Sequence, residues 1–260
     1  MSKLKNSGIG FLLAWQFFSA IPVKKQLDMN KKSVTWMYAF LPIIGLLMGA
    51  LLSGGAYLLW SYSEISNGLI AILLVVGMIF LTGGLHLDGW IDMSDAFFSY
   101  GKKEKRLEIL DDPRTGAFGV ISIACLLLLK VGFVYEAFAK GQFESIPFIV
   151  FIPFLARVGM LIYFLTMPTS KQKGLAAYFK GVVLPKQLST ILCFLGIVAF
   201  AVWIYFELFH FFIFVLIMLC AVFMYRKWSM KHFGGMSGDL LGALGEGMEV
   251  LLWLAVLFFI

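Results

Sequence analysis

The sequence predicts an all-α integral membrane protein, and three observations support this. First, 61% of the 260 residues are hydrophobic and only 14% are charged, whereas an ordinary soluble domain is about 25% charged. Second, apolar runs recur that match the roughly 17–25 residues a helix needs to cross a bilayer. Third, these runs lack the alternation typical of membrane-barrel strands. Because backbone groups in lipid must be hydrogen bonded within the segment, the runs are predicted to be helices.

A polytopic bundle with about seven transmembrane helices is predicted, with spans at roughly 34–60, 68–87, 117–138, 146–167, 188–206, 208–225 and 239–260. An N-terminal interfacial or re-entrant helix is expected before them, because Phe18 is a poor match to the small residue of a signal-peptide cleavage site. No long polar segment or repeat divides the chain, so residues 1–260 are predicted to form a single membrane domain. The cysteines lie within apolar runs and are expected to be buried: Cys125, Cys193 and Cys220.

Basic residues occupy alternate connections between the predicted spans. The intervening connections contain few charges. By the positive-inside rule, the basic connections are predicted to face the cytoplasm. The net charge of +6 is therefore explained by topology, or by topology together with binding of a polyanionic substrate; no nucleic-acid partner is expected. The basic connections contain Lys24, Lys25, Lys31 and Lys32; Lys102, Lys103, Lys105, Arg106 and Arg114; Lys171, Lys173, Lys180 and Lys186; and Arg226, Lys227 and Lys231, and the others contain Glu64, Lys140, Glu144 and Glu207.

Three aspartates stand together in GGLHLDGWIDMSDAFFSYG, residues 83–101. At about 100° per residue, Asp92 lies about 40° to one side of Asp88 and Asp95 about 20° to the other. Acids on one face of a membrane helix must face the bundle interior or a wet cavity. Their oxygens suit Mg²⁺, which takes its other ligands from phosphate and water. The sequence thus predicts a phosphate-handling metal site, and a solvated helix end is the alternative.

A second acidic helix is predicted at GGMSGDLLGALGEGMEV. Asp239 and Glu246 fall about 20° apart on the helical wheel. Gly238 and Gly242 form a small-xxx-small pair that permits close helix packing. Two acidic helices are therefore expected to meet around one site; the alternative is a glycine-rich packing helix whose acids are incidental.

Several basic residues are candidates for phosphate binding. Arg114 precedes Gly116 and Gly119 at the start of an apolar helix, where a guanidinium and free backbone amides can bind phosphate; a loop that simply enters the membrane is the alternative. Arg157 lies mid-span, where a charge needs a partner or a ligand. Lys130 is expected to snorkel to the outer boundary.

These motifs together resemble those of the cobalamin synthase family, the adenosylcobinamide-GDP ribazoletransferases. The matching pieces are GGLHLDGWIDMSDA, LEILDDPRTGAFGV, Arg157 in LAR, and GGMSGDLLGALGEGMEV. The resemblance implies a Mg²⁺-dependent enzyme of the bacterial or archaeal cell membrane, the inner membrane in Gram-negative cells, with its active site facing the cytoplasm. It implies that adenosylcobinamide-GDP reacts with α-ribazole or its 5′-phosphate, releasing GMP and forming adenosylcobalamin or its phosphate. Ala20 departs from the pattern, because an arginine usually stands there.

The site expected from the residues and the resemblance combines metal, phosphate and proton-transfer groups. Such transfers are catalysed mostly by positioning and charge neutralisation. A CDP-alcohol-type phosphotransferase is one alternative, although its D-x-x-D-G-x-x-A-R pattern is not reproduced. A cation-coupled transporter is another, although it would place acids near the midplane. Homo-oligomerisation stays open. The expected roles are Mg²⁺ binding by Asp88, Asp92, Asp95 and Asp239, phosphate binding by Arg114, Arg157, Gly116 and Gly119, and proton acceptance by Asp95 or Glu246.

Overall fold

A computed structural model describes residues 3–205 and 209–260, so Glu207 lies outside it. The described residues are almost entirely helical and contain no β-strand, which confirms the all-α prediction. The helices in chain order are α1 (Lys3–Phe18), α2 (Lys31–Tyr62), α3 (Asn67–Thr82), α4 (Leu85–Phe98), α5 (Lys103–Ile109), α6 (Ala117–Gly141), α7 (Ile146–Thr166), α8 (Leu175–Val182), α9 (Pro185–Tyr205), α10 (Phe209–Phe233) and α11 (Gly238–Val256), with a 3₁₀ turn at Gln142–Ser145.

The membrane-spanning part is less regular than seven straight helices. Among the described residues, three helical stretches are long and apolar enough to cross a bilayer, or up to five if each bent helix pair is one span. One stretch, 117–166, contains both α6 and α7. The predicted second span, 68–87, is bent by 92° between α3 and α4. The predicted last span corresponds to α11, which carries the acids Asp239, Glu246 and Glu249.

Two consecutive glycines produce the bend between α3 and α4. Gly83 has φ 66° and Gly84 has φ 73°, a left-handed conformation that side chains with a Cβ rarely adopt. The amide of Gly83 also closes the end of α3 by donating to the carbonyl of Ile79. The bend turns α4 away from α3 and towards α11.

Close packing of α2 against α7 forms the centre of the bundle. A Cβ at Gly45 would lie 2.6 Å from the carbonyl oxygen of Pro153, and one at Gly49 would lie 2.6 Å from that of Ile149. Glycines that admit a neighbouring backbone are a common basis for helix association in lipid. Each of these two helices contributes one residue to the wall of the cavity described below, Tyr38 from α2 and Met160 from α7.

The basic connections meet at one end of the molecule, as their alternation along the chain predicts. Lys171 after α7 forms an ion pair with Asp111 before α6, at 2.6 Å. The Arg106 guanidinium on α5 lies 2.6 Å from the imidazole of His232 near the end of α10. At the opposite end, Asn67 donates to the carbonyl of Phe138 at 3.3 Å.

Two expectations about apolar helices are wrong. The cysteines are exposed on the outer surface of their helices rather than buried, although they are free as expected. Lys130 is 4% exposed and therefore does not snorkel to a boundary. Helix periodicity alone does not reveal which face of an almost uniformly apolar helix points inward.

Candidate active site

A cavity of about 390 Å³ opens at the end where the basic connections meet. Its size lies in the lower part of the range for small-molecule sites. Acids, bases and aromatic rings from five helices and their connections line it. The charged or titratable lining residues are His86, Asp88, Asp111, Lys171, Lys173 and Asp239, and the aromatic ones are Phe17, Phe18, Tyr38 and Phe179.

Close crossing of α4 and α11 brings Asp88 and Asp239 into this cavity. A Cβ at Gly89 would lie 2.6 Å from the carbonyl oxygen of Asp239, and one at Gly242 would lie 3.1 Å from the Cα of His86. The two acidic helices therefore meet around one site, as predicted. Of the predicted glycine pair on α11, Gly242 makes the contact, whereas Gly238 has no neighbour within 4 Å.

Backbone pairing between two connections fixes the start of α11 at the cavity. Met236 donates its amide to the carbonyl of Pro168 at 2.8 Å, and Ser170 donates to the carbonyl of Met236 at 2.9 Å. Ser237 then caps α11, because its hydroxyl accepts a hydrogen bond from the amide of Leu240 at 3.1 Å. The positive end of the helix dipole consequently faces the cavity, which favours an anionic ligand there.

Lys171 and Lys173 add positive charge beside the two aspartates. Lys171 contacts the carboxylate of Asp111 at 2.6 Å and is close enough to Asp239 to act on it electrostatically. Gly174, with φ 106°, turns the chain from this basic segment into α8. The cavity thus combines groups that attract a cation with groups that attract an anion.

The residues fit a magnesium ion that is shared with a phosphorylated substrate. Among the described residues, no three His, Cys, Asp or Glu side chains are gathered closely enough to hold a metal alone. Mg²⁺ commonly binds through one or two carboxylates and completes its coordination with water and substrate phosphates. Asp88 and Asp239 supply hard oxygen ligands of that kind in one cavity.

The other two aspartates of α4 lie away from the cavity wall. Asp92 is half-buried and within electrostatic range of Asp88, Asp239 and Asp95. Asp95 is 9% exposed, and its oxygens accept hydrogen bonds from the amides of Gly116 and Gly119, each at 2.7 Å. Asp95 therefore caps the N-terminus of α6.

The same contact gives Gly116 and Gly119 a role different from the phosphate binding expected of them. Their amides point at Asp95, and a Cβ at either glycine would lie 2.4 Å from one of its oxygens. The helix N-terminus does bind an anion, as the glycine pattern suggests, but in this structure the anion is a side chain of the protein itself.

Arg114 lies outside the cavity. Its guanidinium donates to both carboxylate oxygens of Asp112, at 2.9 and 2.7 Å, and its side chain is 87% exposed. These hydrogen bonds hold the pKa of Asp112 at about 2. The structure does not bring Arg114 together with the acids of α4 and α11.

Arg157 and Glu246 belong to a second, fully buried group of charges. Arg157 donates to Glu249, and Lys130 contacts Glu246 at 2.9 Å and Glu249 at 2.6 Å. All four side chains are 2–5% exposed. This buried charge cluster, formed by Lys130, Arg157, Glu246 and Glu249, is electrically balanced and joins α6, α7 and α11.

Asp239 and Glu246, which the helical wheel places on one face, lie in different parts of the structure. Glu246 follows Asp239 by two turns, about 10 Å along the axis. Asp239 lines the cavity, whereas Glu246 is paired with Lys130. Neither Glu246 nor Arg157 lines the cavity among the described residues.

Several cavity residues were not singled out by sequence analysis. The charge pattern explains Lys171 and Lys173 by topology, alone or together with binding of a polyanionic substrate, and does not single them out as ligands. A signal that does mark them is Gly174, which directly follows Lys173 and indicates a tight turn. Asp111 and Tyr38 carried no recognisable signal, because the contacts that place them at the cavity join distant parts of the chain. Asp111 meets Lys171 from another connection.

The fold and the cavity together define a class of protein: a helical membrane protein with a cavity lined by both acidic and basic side chains. The chain belongs to the cobalamin-5-phosphate synthase family, whose model matches residues 10–257. It is thus a transferase of cobalamin biosynthesis, and the resemblance drawn from the motifs is confirmed.

Curated relatives match the chain over nearly its whole length. One named adenosylcobinamide-GDP ribazoletransferase, from Geobacillus sp. (strain WCH70), is 36% identical over 264 residues, covering 96% of this chain and 95% of the relative. Proteins of the same name from Treponema denticola and Clostridioides difficile are 34% identical over 271 residues and 31% identical over 256 residues. They cover 96% and 95% of this chain, and 98% and 96% of their own lengths. No solved structure matches the chain.

Proposed function

We propose that this protein transfers the cobinamide-phosphate moiety of adenosylcobinamide-GDP to α-ribazole or its 5′-phosphate, with release of GMP. The observation that carries the proposal is the cavity in which Asp88 and Asp239 lie beside Lys171 and Lys173. A diphosphate needs both kinds of group, because its metal requires oxygen ligands and its own charge requires cations.

In the proposed reaction, a ribazole hydroxyl attacks the phosphate attached to cobinamide and GMP leaves. Mg²⁺ held by Asp88 and Asp239 would neutralise charge on the transferring phosphoryl group. Lys171 and Lys173 orient the diphosphate and stabilise the leaving phosphate. The hydroxyl proton passes to a carboxylate that lines the cavity. Asp95 and Glu246, the acceptors expected from the sequence, do not line it.

The proposed active site faces the cytoplasm. The cavity lies at the end that gathers the basic connections, and the positive-inside rule assigns such connections to the cytoplasmic side. Cysteine placed at Lys173 should react with an impermeant thiol reagent only from the cytoplasmic side, and cysteine at Ser63 only from the other. Cys125, Cys193 and Cys220 are exposed and would first be replaced by alanine.

The direct test uses purified protein in lipid vesicles with adenosylcobinamide-GDP, α-ribazole and Mg²⁺. We expect equimolar GMP and a cobalamin product, with both lost on chelation of Mg²⁺. The Asp88→Asn protein serves as the matched control for contaminating activity. If the wild-type protein forms neither product, the proposed function is wrong; activity that survives chelation would overturn the metal assignment alone.

A further inference from the structure

The cavity has an aromatic end that the phosphate chemistry does not use. Phe17 and Phe18 from α1, Tyr38 from α2 and Phe179 from α8 line it. The ring of Tyr38 lies 5.8 Å from those of both Phe18 and Phe179. On its other side, Tyr38 stacks on Phe164 at 4.0 Å. The tyrosine ring is therefore held between neighbours from three other helices.

The hydroxyl of Tyr38 makes no hydrogen bond within the part of the chain that the structure describes. The residue is only 3% exposed, and it lines the cavity. Other buried tyrosines are satisfied: Tyr163 donates to Ser229 at 3.0 Å and Tyr225 to the carbonyl of Leu240 at 2.9 Å. The Tyr38 oxygen is not among the fully enclosed polar atoms of the described residues that lack a partner, so it reaches the cavity that Tyr38 lines. There it can hydrogen bond to a polar atom of a ligand.

We propose that this aromatic end binds the planar base of the ribazole acceptor, with the Tyr38 hydroxyl donating to the free ring nitrogen of the base. The assignment rests on the proposed function. A benzimidazole-type base has one free ring nitrogen and an otherwise apolar edge, which matches several aromatic rings and one hydroxyl. Guanine presents donors and acceptors around its edge and would need further buried partners.

The arrangement also orients the acceptor for reaction. With its base among the aromatic rings, the ribose would lie in the same cavity that Asp88, Asp239 and Lys171 line. That is where the diphosphate is proposed to bind. A cavity of about 390 Å³ accommodates a nucleoside and phosphates, and the much larger corrin ring then lies outside it.

Tyr38→Phe tests the proposal because it removes one oxygen atom and keeps the stacked ring. We expect the KM and the dissociation constant for α-ribazole to rise about three- to tenfold, as for one lost hydrogen bond. The KM for adenosylcobinamide-GDP should stay within about twofold. Tyr163→Phe is the matched control, since it makes the same change at a buried tyrosine outside the cavity, and it should leave both constants unchanged.

A substrate analogue separates recognition from a general effect on folding. The indole riboside has a CH group in place of the free ring nitrogen, so it cannot accept the hydrogen bond. Wild-type protein should prefer the benzimidazole riboside over this analogue by about three- to tenfold, and Tyr38→Phe should lose that preference. A purely structural role for Tyr38 would lower both affinities and keep the preference.

The outcomes distinguish this inference from the proposed function. If wild-type protein forms product and Tyr38→Phe retains the wild-type KM and base preference, the base assignment is wrong and the function stands. If Tyr38→Phe raised only the KM for adenosylcobinamide-GDP, the guanine rather than the ribazole base would bind at the aromatic end. That result would also overturn the base assignment. If wild-type protein forms no product, the proposed function fails, and calorimetric titration with α-ribazole still decides whether Tyr38 binds the base.

Discussion

Replacement of Glu249 by glutamine tests the buried charge cluster. The wild-type cluster balances two cations against two carboxylates, all of them 2–5% exposed. Glu249→Gln leaves Lys130 with Glu246 but leaves Arg157 without a carboxylate partner. Removing one partner of a buried ion pair costs about 3–5 kcal/mol, because the remaining charge stays buried and uncompensated.

Thermal unfolding of the purified protein in one detergent measures this cost. At about 2–4 °C per kcal/mol for a chain of this size, the midpoint should fall by roughly 6–20 °C. Glu246→Gln should cost less, because Glu249 still contacts both cations. The double variant Arg157→Met with Glu249→Gln should recover at least about half of the loss, since it restores charge balance.

A midpoint for Glu249→Gln within about 2 °C of the wild-type value would refute this reasoning. So would a double variant less stable than Glu249→Gln alone, because the cost would then come from lost packing rather than from an unpaired charge. Expression level and monodispersity in the same detergent show that each variant is inserted and folded before its midpoint is compared.

Three further predictions concern the cavity and its support. Asp88→Asn should reduce turnover by orders of magnitude at limiting Mg²⁺ with little loss of folded protein, and near-wild-type turnover would remove this residue from the metal site. Lys171→Met should raise the KM for adenosylcobinamide-GDP by about tenfold or more, as for a lost charged hydrogen bond. Arg114→Met, which lies outside the cavity, should change this KM by about twofold or less. Equal changes of the KM in the Lys171 and Arg114 variants would contradict the placement of the diphosphate. Gly119→Ala should lower the unfolding midpoint, because its Cβ would lie 2.4 Å from the carboxylate that caps α6, whereas Gly132→Ala, with no neighbour within 4 Å, should not.

Hydropathy and charge predict the class of fold, because both depend on short stretches of sequence. In lipid, the backbone N–H and C=O groups of a segment must be hydrogen bonded within the protein, so each apolar run is predicted to form a helix. The alternation of basic connections likewise predicts which connections share an end, and the Lys171–Asp111 ion pair confirms it. The bend at Gly83 and Gly84 was missed because an apolar run continues through the glycines.

Long-range pairing is what the sequence does not reveal. Arg157 and Glu249 are 92 residues apart, and Lys130 and Glu246 are 116 apart. Each of these charges needs a partner inside the bundle, but several are available. The choice depends on how α6, α7 and α11 are rotated against one another, and their almost uniformly apolar surfaces carry little information about that rotation.

The aspartates of α4 show why a shared helix face does not imply a shared site. The helical wheel records angle and ignores position along the axis, and Asp95 lies about 10 Å beyond Asp88. Asp88 lines the cavity, whereas Asp95 accepts two backbone hydrogen bonds at the start of α6. Loss of either acid should therefore abolish activity by a different route: Asp88→Asn through the metal and phosphate, and Asp95→Asn by loosening α6. An unfolding midpoint that falls for Asp95→Asn alone would separate the two routes.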